Sequence, residues 1–178
     1  MKARAFIAVG SNINPEENVR AALLALAAQE AIVAVSTIYR TEPEGRPGQP
    51  DFYNCVVEIR TETTPKALKY RVLRRIEAGL GRQRSADKFA PRTIDLDLIL
   101  YDDLILRTDD LVIPDPEIAC RSFLASCLGE LAPDLMLPGT ALGVAKLAAG
   151  LSQDNMHPLS GYTARIKREI RSAESGRI

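Results

Sequence analysis

Residues 82–101 read RQRSADKFAPRTIDLDLILY, and the second half of this stretch has the pattern of a β-strand. Ile94, Leu96, Leu98 and Leu100 alternate with Asp95, Asp97, Ile99 and Tyr101. Successive strand side chains point to opposite faces, so the four aliphatics are expected on one face and the two aspartates on the other. At a rise of roughly 3.3 Å per residue the carboxylates stand about 7 Å apart. Unpaired carboxylates are costly on a half-buried surface. Mg²⁺ removes that cost, because it prefers carboxylate oxygens and usually retains water and substrate phosphates as further ligands. Without Mg²⁺, removing either aspartate is expected to leave stability unchanged or slightly raised, since like charges repel. The first half of the stretch carries Arg82, Arg84, Lys88 and Arg92 against Asp87. Cation-binding carboxylates beside clustered arginines suit a polyphosphate. The plainer alternative is that the aspartates keep one sheet face wet and the arginines are their surface partners.

Upstream, the chain alternates strand and helix patterns. Residues 5–9 form a short apolar strand closed by the turn signal Gly10-Ser11-Asn12. Asn14 is placed as an N-cap, with Pro15 at the first helical position and Glu17 as in a capping box. Val19, Ala22, Leu23, Leu26 and Ala27 follow at helical spacing. Residues 32–39 are β-branched and strand-like, and residues 41–50 are too rich in Pro and Gly for regular structure. Residues 53–61 are a further strand. Thr64-Pro65 caps a helix with Leu68, Val72, Leu73, Ile76 and Leu80 on its core face, ending near Gly79 and Gly81.

This β-α-β-β-α-β order predicts an α+β fold, a ferredoxin-like sandwich with an antiparallel sheet and both helices on one face. Ile94, Leu96, Leu98 and Leu100 then lie under the helices, leaving Asp95 and Asp97 on the open face. Residues 121–131 and 141–151 predict extra C-terminal helices. One domain is expected over 1–151. Residues 152–178 form a polar extension, with only Ile166 and Ile170 at helical spacing, and predict an exposed helix or a frayed tail.

Composition narrows the function. The chain has 178 residues, with Lys plus Arg and Asp plus Glu both at 23, so no net field favours nucleic acid or an anionic membrane. No segment is apolar enough to span a bilayer, and the N-terminus lacks a signal-peptide run. Cys55, Cys120 and Cys127 have no metal-binding spacing and read as reduced thiols of a cytoplasmic protein. His157 is the single histidine, which leaves it as the sole candidate for Ser-His or Cys-His catalysis. There is no P-loop, no dinucleotide fingerprint and no protein-kinase catalytic loop. Phosphoryl chemistry here would have to rest on metal and arginine positioning.

The run Lys88-Phe89-Ala90-Pro91-Arg92-Thr93-Ile94-Asp95-Leu96-Asp97-Leu98-Ile99 resembles the signature of the 6-hydroxymethyl-7,8-dihydropterin pyrophosphokinase family. The resemblance extends from about Ala5 to Pro138. It takes in Gly10-Ser11-Asn12, Tyr39-Arg40-Thr41-Glu42-Pro43, Gln49-Pro50-Asp51-Phe52-Tyr53-Asn54, Ile76-Glu77, Gly81-Arg82, Arg121-Ser122-Phe123 and Glu130-Leu131-Ala132-Pro133. It implies a monomer that moves the pyrophosphoryl group of the co-substrate ATP to the pterin hydroxymethyl group, releasing AMP, with two Mg²⁺ ions. Asp95 and Asp97 are then the metal ligands, and Arg82 and Arg92 join them as catalytic residues. Thr41, Pro43, Phe52, Asn54, Asp95 and Phe123 are expected to bind the pterin. Glu77, Arg82, Arg84, Arg92, Leu98, Asp115 and Arg121 are expected to bind ATP. For Phe52 and Phe123, ordinary core packing is the competing reading. Asn54 is harder to place in a core, because a buried amide needs several hydrogen-bond partners.

Three departures from the family pattern stand out. Asp115 replaces a frequent histidine, Phe89 a frequent tryptophan, and Ser85 stands where some members carry lysine. Two other readings remain open. One is a sheet that stacks single-stranded RNA on exposed aromatics, for which five Tyr and four Phe give no suitable pattern. The other is a different two-metal nucleotidyl or phosphoryl transferase. The loops 41–50 and 82–91 flank the proposed site and are expected to close over it, bringing Arg82 and Arg84 to the phosphates.

Overall fold

The computed structural model describes residues 1–43, 48–84, 87 and 90–175. Strand β1 (Ala3–Ser11) runs through the middle of a six-stranded sheet. It is antiparallel to β4 (Phe52–Thr61) on one side and β5 (Asp95–Tyr101) on the other. Two short strands share the outer edge of β4. β2 (Ala31–Val35) pairs with its second half and β3 (Tyr39–Thr41) with its first. The run expected as one strand over 32–39 is therefore two. Ser36 breaks it by using its side chain in the ladder, where its hydroxyl accepts the Val56 N–H at 3.0 Å.

One face of the sheet is covered by α1 (Pro15–Ala27) and by a second helical run. That run starts as α2 (Pro65–Ala67), widens into a π-helical stretch (Leu68–Leu73) and ends as α3 (Arg74–Gly79). Leu68, Val72, Leu73 and Ile76 are buried against the sheet as their spacing predicts. The expected side-chain caps do not form. Asn14 adopts a left-handed backbone (φ 41°) that turns its side chain away, and the Glu17 and Asn18 amides bond to its carbonyl instead. Thr64 also makes no side-chain cap.

The strict alternation expected along β5 fails at one point. Phe6 lies opposite Leu100 but Ile7 lies opposite Leu98, so Ile99 is an extra residue in the ladder. Such a bulge flips the facing of every residue beyond it. Leu96 and Leu98 pack beneath the helices, while Leu100 joins Phe6, Val56 and Ile99 on the opposite face. That face is not wholly open. A ribbon of β6 (Leu106–Arg107) and β7 (Val112–Ile113) is followed by a 3₁₀ turn (Pro116–Ala119), then α4 (Ser122–Leu131) and α5 (Val144–Gly150). Ile118, Leu124, Leu128 and Val144 from these elements complete a second core there. Among the described residues, a cleft is left at the end of the sheet bearing Gly10, Asn54, Asp95 and Asp97.

The tail is part of the fold. β8 (Met156–Pro158) adds to β3, and α6 (Ser160–Ser175) lies along α1. Ile166 and Ile170, 1% and 3% exposed, enter the main core, so the helix is not the exposed one its polarity predicts. The two isoleucines one turn apart are joined by buried Thr163 and by Leu159 and Tyr162 packed against the core. Arg165 pairs with Glu16 (2.7 Å) and Arg20 with Glu169 across the seam. Among the described residues no helix is long and apolar enough to cross a membrane.

Candidate active site

The pairing register lays one row of residues across the sheet. Asp95 is opposite Gly10, Gly10 opposite Asn54, and Asn54 opposite Tyr39. Asp97, opposite Ala8, lies on the same face as Asp95, upstream of the bulge. The two carboxylates nevertheless differ in state. Asp95 accepts from Arg82 Nη1 at 2.6 Å on one oxygen and from Arg92 Nη1 on the other. Burial pushes its pKa up, but the two guanidinium charges outweigh burial and hold it below the usual carboxylate value. Asp97 makes no hydrogen bond or ion pair among the described residues. Its carboxyl is open to solvent but sunk in a cleft. Desolvation first, then the charges of Asp95, Glu77 and Asp115, push it up to about 7.

The arginines are positioned by local backbone chemistry. Helix α3 closes with the Gly81 N–H donating to Ala78 O and the Arg82 N–H to Glu77 O, both at 3.0 Å. This C-terminal motif needs the left-handed backbone that Gly81 supplies (φ 76°). Arg82 thus leaves the helix directed at β5, where it also donates to Ile94 O at 2.5 Å. Arg82 is thereby brought into contact with Asp95. Residues 44–47, 85, 86, 88 and 89 lie outside the described residues, and with them Ser85, Lys88, Phe89 and part of each predicted closing loop.

Arg92 is fixed by the turn after β1. The Arg92 N–H donates to Asn12 Oδ1 at 2.8 Å, the Asn12 N–H to Arg92 O at 3.2 Å, and Ser11 Oγ to Thr93 O at 2.5 Å. The Arg92 guanidinium carbon stands 5.9 Å from the Phe52 ring centroid. Sequence reading saw a turn and a piece of the family resemblance in Gly10-Ser11-Asn12, and assigned it no contact. Two buried polar residues just after an apolar strand were the available signal that this turn grips another loop.

A cleft of about 280 Å³ opens over this row. Thr41, Pro43, Phe52, Asn54, Phe123 and Asp95 all line it, together with Asp97, Arg92, Asp115 and Arg121. Phe52 and Phe123 are half-buried at its walls. Asn54 Nδ2 donates to Thr41 Oγ1 at 2.7 Å, which leaves its amide oxygen and second N–H for another partner. A neighbouring cleft of about 310 Å³ shares Asp97 and Asp115 and is lined by Lys69, Leu98 and Asp110. Leu98 has its side chain in the core, so only its backbone can meet a ligand. Asp115 accepts from the Glu117 N–H at 2.8 Å and caps the 3₁₀ turn, while Arg121 pairs with Glu117 at 2.7 Å.

Glu77, Arg82 and Arg84 line neither cleft. Glu77 is 2% exposed, and its oxygens accept from the Leu96 N–H (3.0 Å) and from Arg84, with Arg82 at 3.6 Å. It sits behind the clefts and holds the two arginines. His157 is on β8, on the face turned away from the cleft. Lys69 and Met156 reach the clefts without having been singled out.

Gly10 is tightly fitted. A Cβ there would lie 2.6 Å from Asn54 Oδ1. Gly10→Ala should therefore displace the Asn54 amide and weaken several-fold the binding of the pterin that the family resemblance implies, while the fold persists. Calorimetric titration with the pterin checks this; unchanged affinity would show that Asn54 does not meet the ligand.

A model of the family 7,8-dihydro-6-hydroxymethylpterin-pyrophosphokinase (HPPK) matches residues 6–133. A 2-amino-4-hydroxy-6-hydroxymethyldihydropteridine pyrophosphokinase of Haemophilus influenzae is 39% identical over 141 residues, covering 78% of this chain and 87% of its own. The Bacillus subtilis protein of that name is 38% identical over 130 residues, covering 71% and 77%. The fold is similar to that of wild-type HPPK-DHPS of Plasmodium falciparum (TM-score 0.67, 14% identity), over 95% of this chain and 46% of that one. This chain thus spans less than half of that longer protein. By its matched length and its identity to these relatives, the chain belongs to the 7,8-dihydro-6-hydroxymethylpterin-pyrophosphokinase family.

Proposed function

We propose that this protein transfers the pyrophosphoryl group of ATP to the hydroxymethyl group of 6-hydroxymethyl-7,8-dihydropterin, releasing AMP, in folate biosynthesis. The observation that carries the reading is the shared cleft, which gathers the expected pterin residues and the Asp95/Asp97/Arg92 group. Thr41 and Asn54 present donors and acceptors to the heterocycle edge, and Phe52 and Phe123 present flat apolar walls. The pterin is thereby held with its hydroxymethyl arm towards Asp95. ATP occupies the adjoining cleft, entering past Lys69 and the Leu98 backbone, with Asp115 at the junction and Arg121 on the side of the first cleft.

The donor set fits Mg²⁺. Asp97 has no hydrogen bond or ion pair among the described residues, and desolvation first, then its acidic neighbours Asp95, Glu77 and Asp115, raise its pKa. No cluster of three or more acidic, His or Cys ligands occurs among the described residues, so Asp95 and Asp97 would share Mg²⁺ with phosphate and water oxygens. When bound, two Mg²⁺ ions would neutralise the triphosphate and favour ionisation of the attacking hydroxyl. Both oxygens of Asp95 are held by arginines. Binding of MgATP requires that at least one arginine exchange the carboxylate for a phosphate oxygen. The Arg92 side chain is 23% exposed against 12% for Arg82. Arg82 and Arg92 then stabilise charge moving towards the departing AMP. The protein is expected to act as a cytoplasmic monomer.

Incubation with ATP, Mg²⁺ and the hydroxymethyl-dihydropterin should yield AMP only when the pterin is present. AMP or ADP formation indifferent to the pterin would overturn the assignment of the acceptor.

A further inference from the structure

Residues 152–158 lie beyond the matched region 6–133, yet Ser152, Asn155 and Met156 line the same cleft as Thr41, Phe52 and Asn54. The sheet explains how they reach it. In β8, Met156 is opposite Thr41 and Pro158 opposite Tyr39, and Thr41 is in turn opposite Phe52. Directly opposed side chains share a face. Phe52, Thr41 and Met156 therefore form one row across three strands on the cleft side.

This wall is anchored at both ends. The turn before it is closed by Ser152 Oγ donating to Asp154 Oδ2 (2.7 Å) and by the Met156 N–H donating to Gln153 O (3.0 Å). After it, the Leu159 N–H donates to Ile38 O (2.9 Å), the Ile38 N–H donates to Thr163 Oγ1 (3.0 Å), and Ile166 and Ile170 are buried. Met156 itself is half-buried and belongs to neither core. Sealing a sheet edge calls for charge, proline or a short strand, not for an unbranched thioether. A polarizable sulfur at the end of a row containing Phe52 suits contact with a flat aromatic ligand.

We propose that Met156 is a specificity-determining residue for the pterin, its thioether packing against the rim of the heterocycle held by Thr41, Asn54 and Phe52. The C-terminal strand thereby supplies one wall of the acceptor pocket. This inference rests on the functional reading above. Met156→Ala should raise KM for the pterin about tenfold, equivalent to ~1.4 kcal/mol. KM for ATP, kcat and Tm should stay at their wild-type values. Met156→Gln, which keeps the length and cannot leave a hole, should show a smaller loss in the same parameter alone. Met136→Ala, on an exposed methionine that lines neither cleft, serves as the control. A wild-type chain lacking pterin-dependent AMP formation would overturn the functional reading and this inference with it. An active wild type with both Met156 variants at wild-type pterin KM would overturn this inference alone. So would a pterin KM that moves only together with ATP KM and Tm, which is the mark of a structural residue.

Discussion

Asp97→Asn is expected to reduce pterin-dependent AMP formation to background and to raise the Tm of the ligand-free protein. The stabilisation arises from the pKa of Asp97, which is pushed up to about 7 in the folded chain by desolvation and by Asp95, Glu77 and Asp115. Unfolded, the same carboxyl titrates at the usual ~3.9. Folding is therefore unpenalised by Asp97 below about pH 4, increasingly penalised between the two values, and fully penalised above about 7. The gain in Tm on substitution should be largest above neutrality and should fade towards pH 4. Mg²⁺ with a non-hydrolysable ATP analogue should then stabilise the wild type and leave the variant nearly unmoved. A variant that keeps activity, or that loses Tm at pH 8, contradicts the placement of Asp97.

Asp95 has the opposite sign. Alternation treats the two aspartates alike and predicts relief on removing either, but Asp95 is paired with Arg82 and Arg92 and its pKa is lowered despite burial. Its contribution to stability is present above the usual carboxylate pKa and is lost as pH falls through the lower folded value. Asp95→Asn should thus cost stability at neutral pH, because two guanidinium groups lose their partner.

Arg92→Ala is expected to lower kcat by ~10³-fold, the scale of arginines that stabilise charge in phosphoryl transfer. Nucleotide affinity should fall much less, since an arginine that binds Asp95 before the reaction gains little by binding ATP in the ground state. Arg82→Ala should show the same loss of kcat per folded molecule, with an added drop in Tm. Arg82 is also bonded to Ile94 O and lies against Glu77, which is nearly fully buried. Single-turnover rates and MgATP titrations separate the two effects. If both variants weaken MgATP binding and keep kcat, the arginines are binding groups only.

The strand that carries the aspartates was legible because its alternation is carried by side chains the strand itself presents. So was the gathering of Thr41, Phe52, Asn54 and Phe123 in one cleft, which the family resemblance implied residue by residue. What sequence could not place depends on contacts between distant segments. The flip of Leu100 arises from an extra residue, Ile99, that only the partner strand β1 reveals. The ion pairs that set Asp95 apart from Asp97 need the turn at Gly81 to aim Arg82. Glu77 reads as a ligand contact until its burial places it behind the arginines. The tail reads as polar because Ile166 and Ile170 are sparse, yet with Leu159, Tyr162 and Thr163 they pack it onto the core. Met156 has no motif at all; its place in the cleft is set by the pairing of β8 with β3.

The central claim is that this cleft moves two phosphoryl groups together to a pterin hydroxyl. The most direct measurement tracks ATP labelled at its β-phosphorus through the reaction with Mg²⁺ and the hydroxymethyl-dihydropterin, read by ³¹P NMR or by separation of products. The account predicts that the label leaves with the γ-phosphorus and appears in a pterin diphosphate, with unlabelled AMP in equal amount. Label retained in ADP beside a pterin monophosphate, or label in inorganic pyrophosphate with the pterin unchanged, would contradict it.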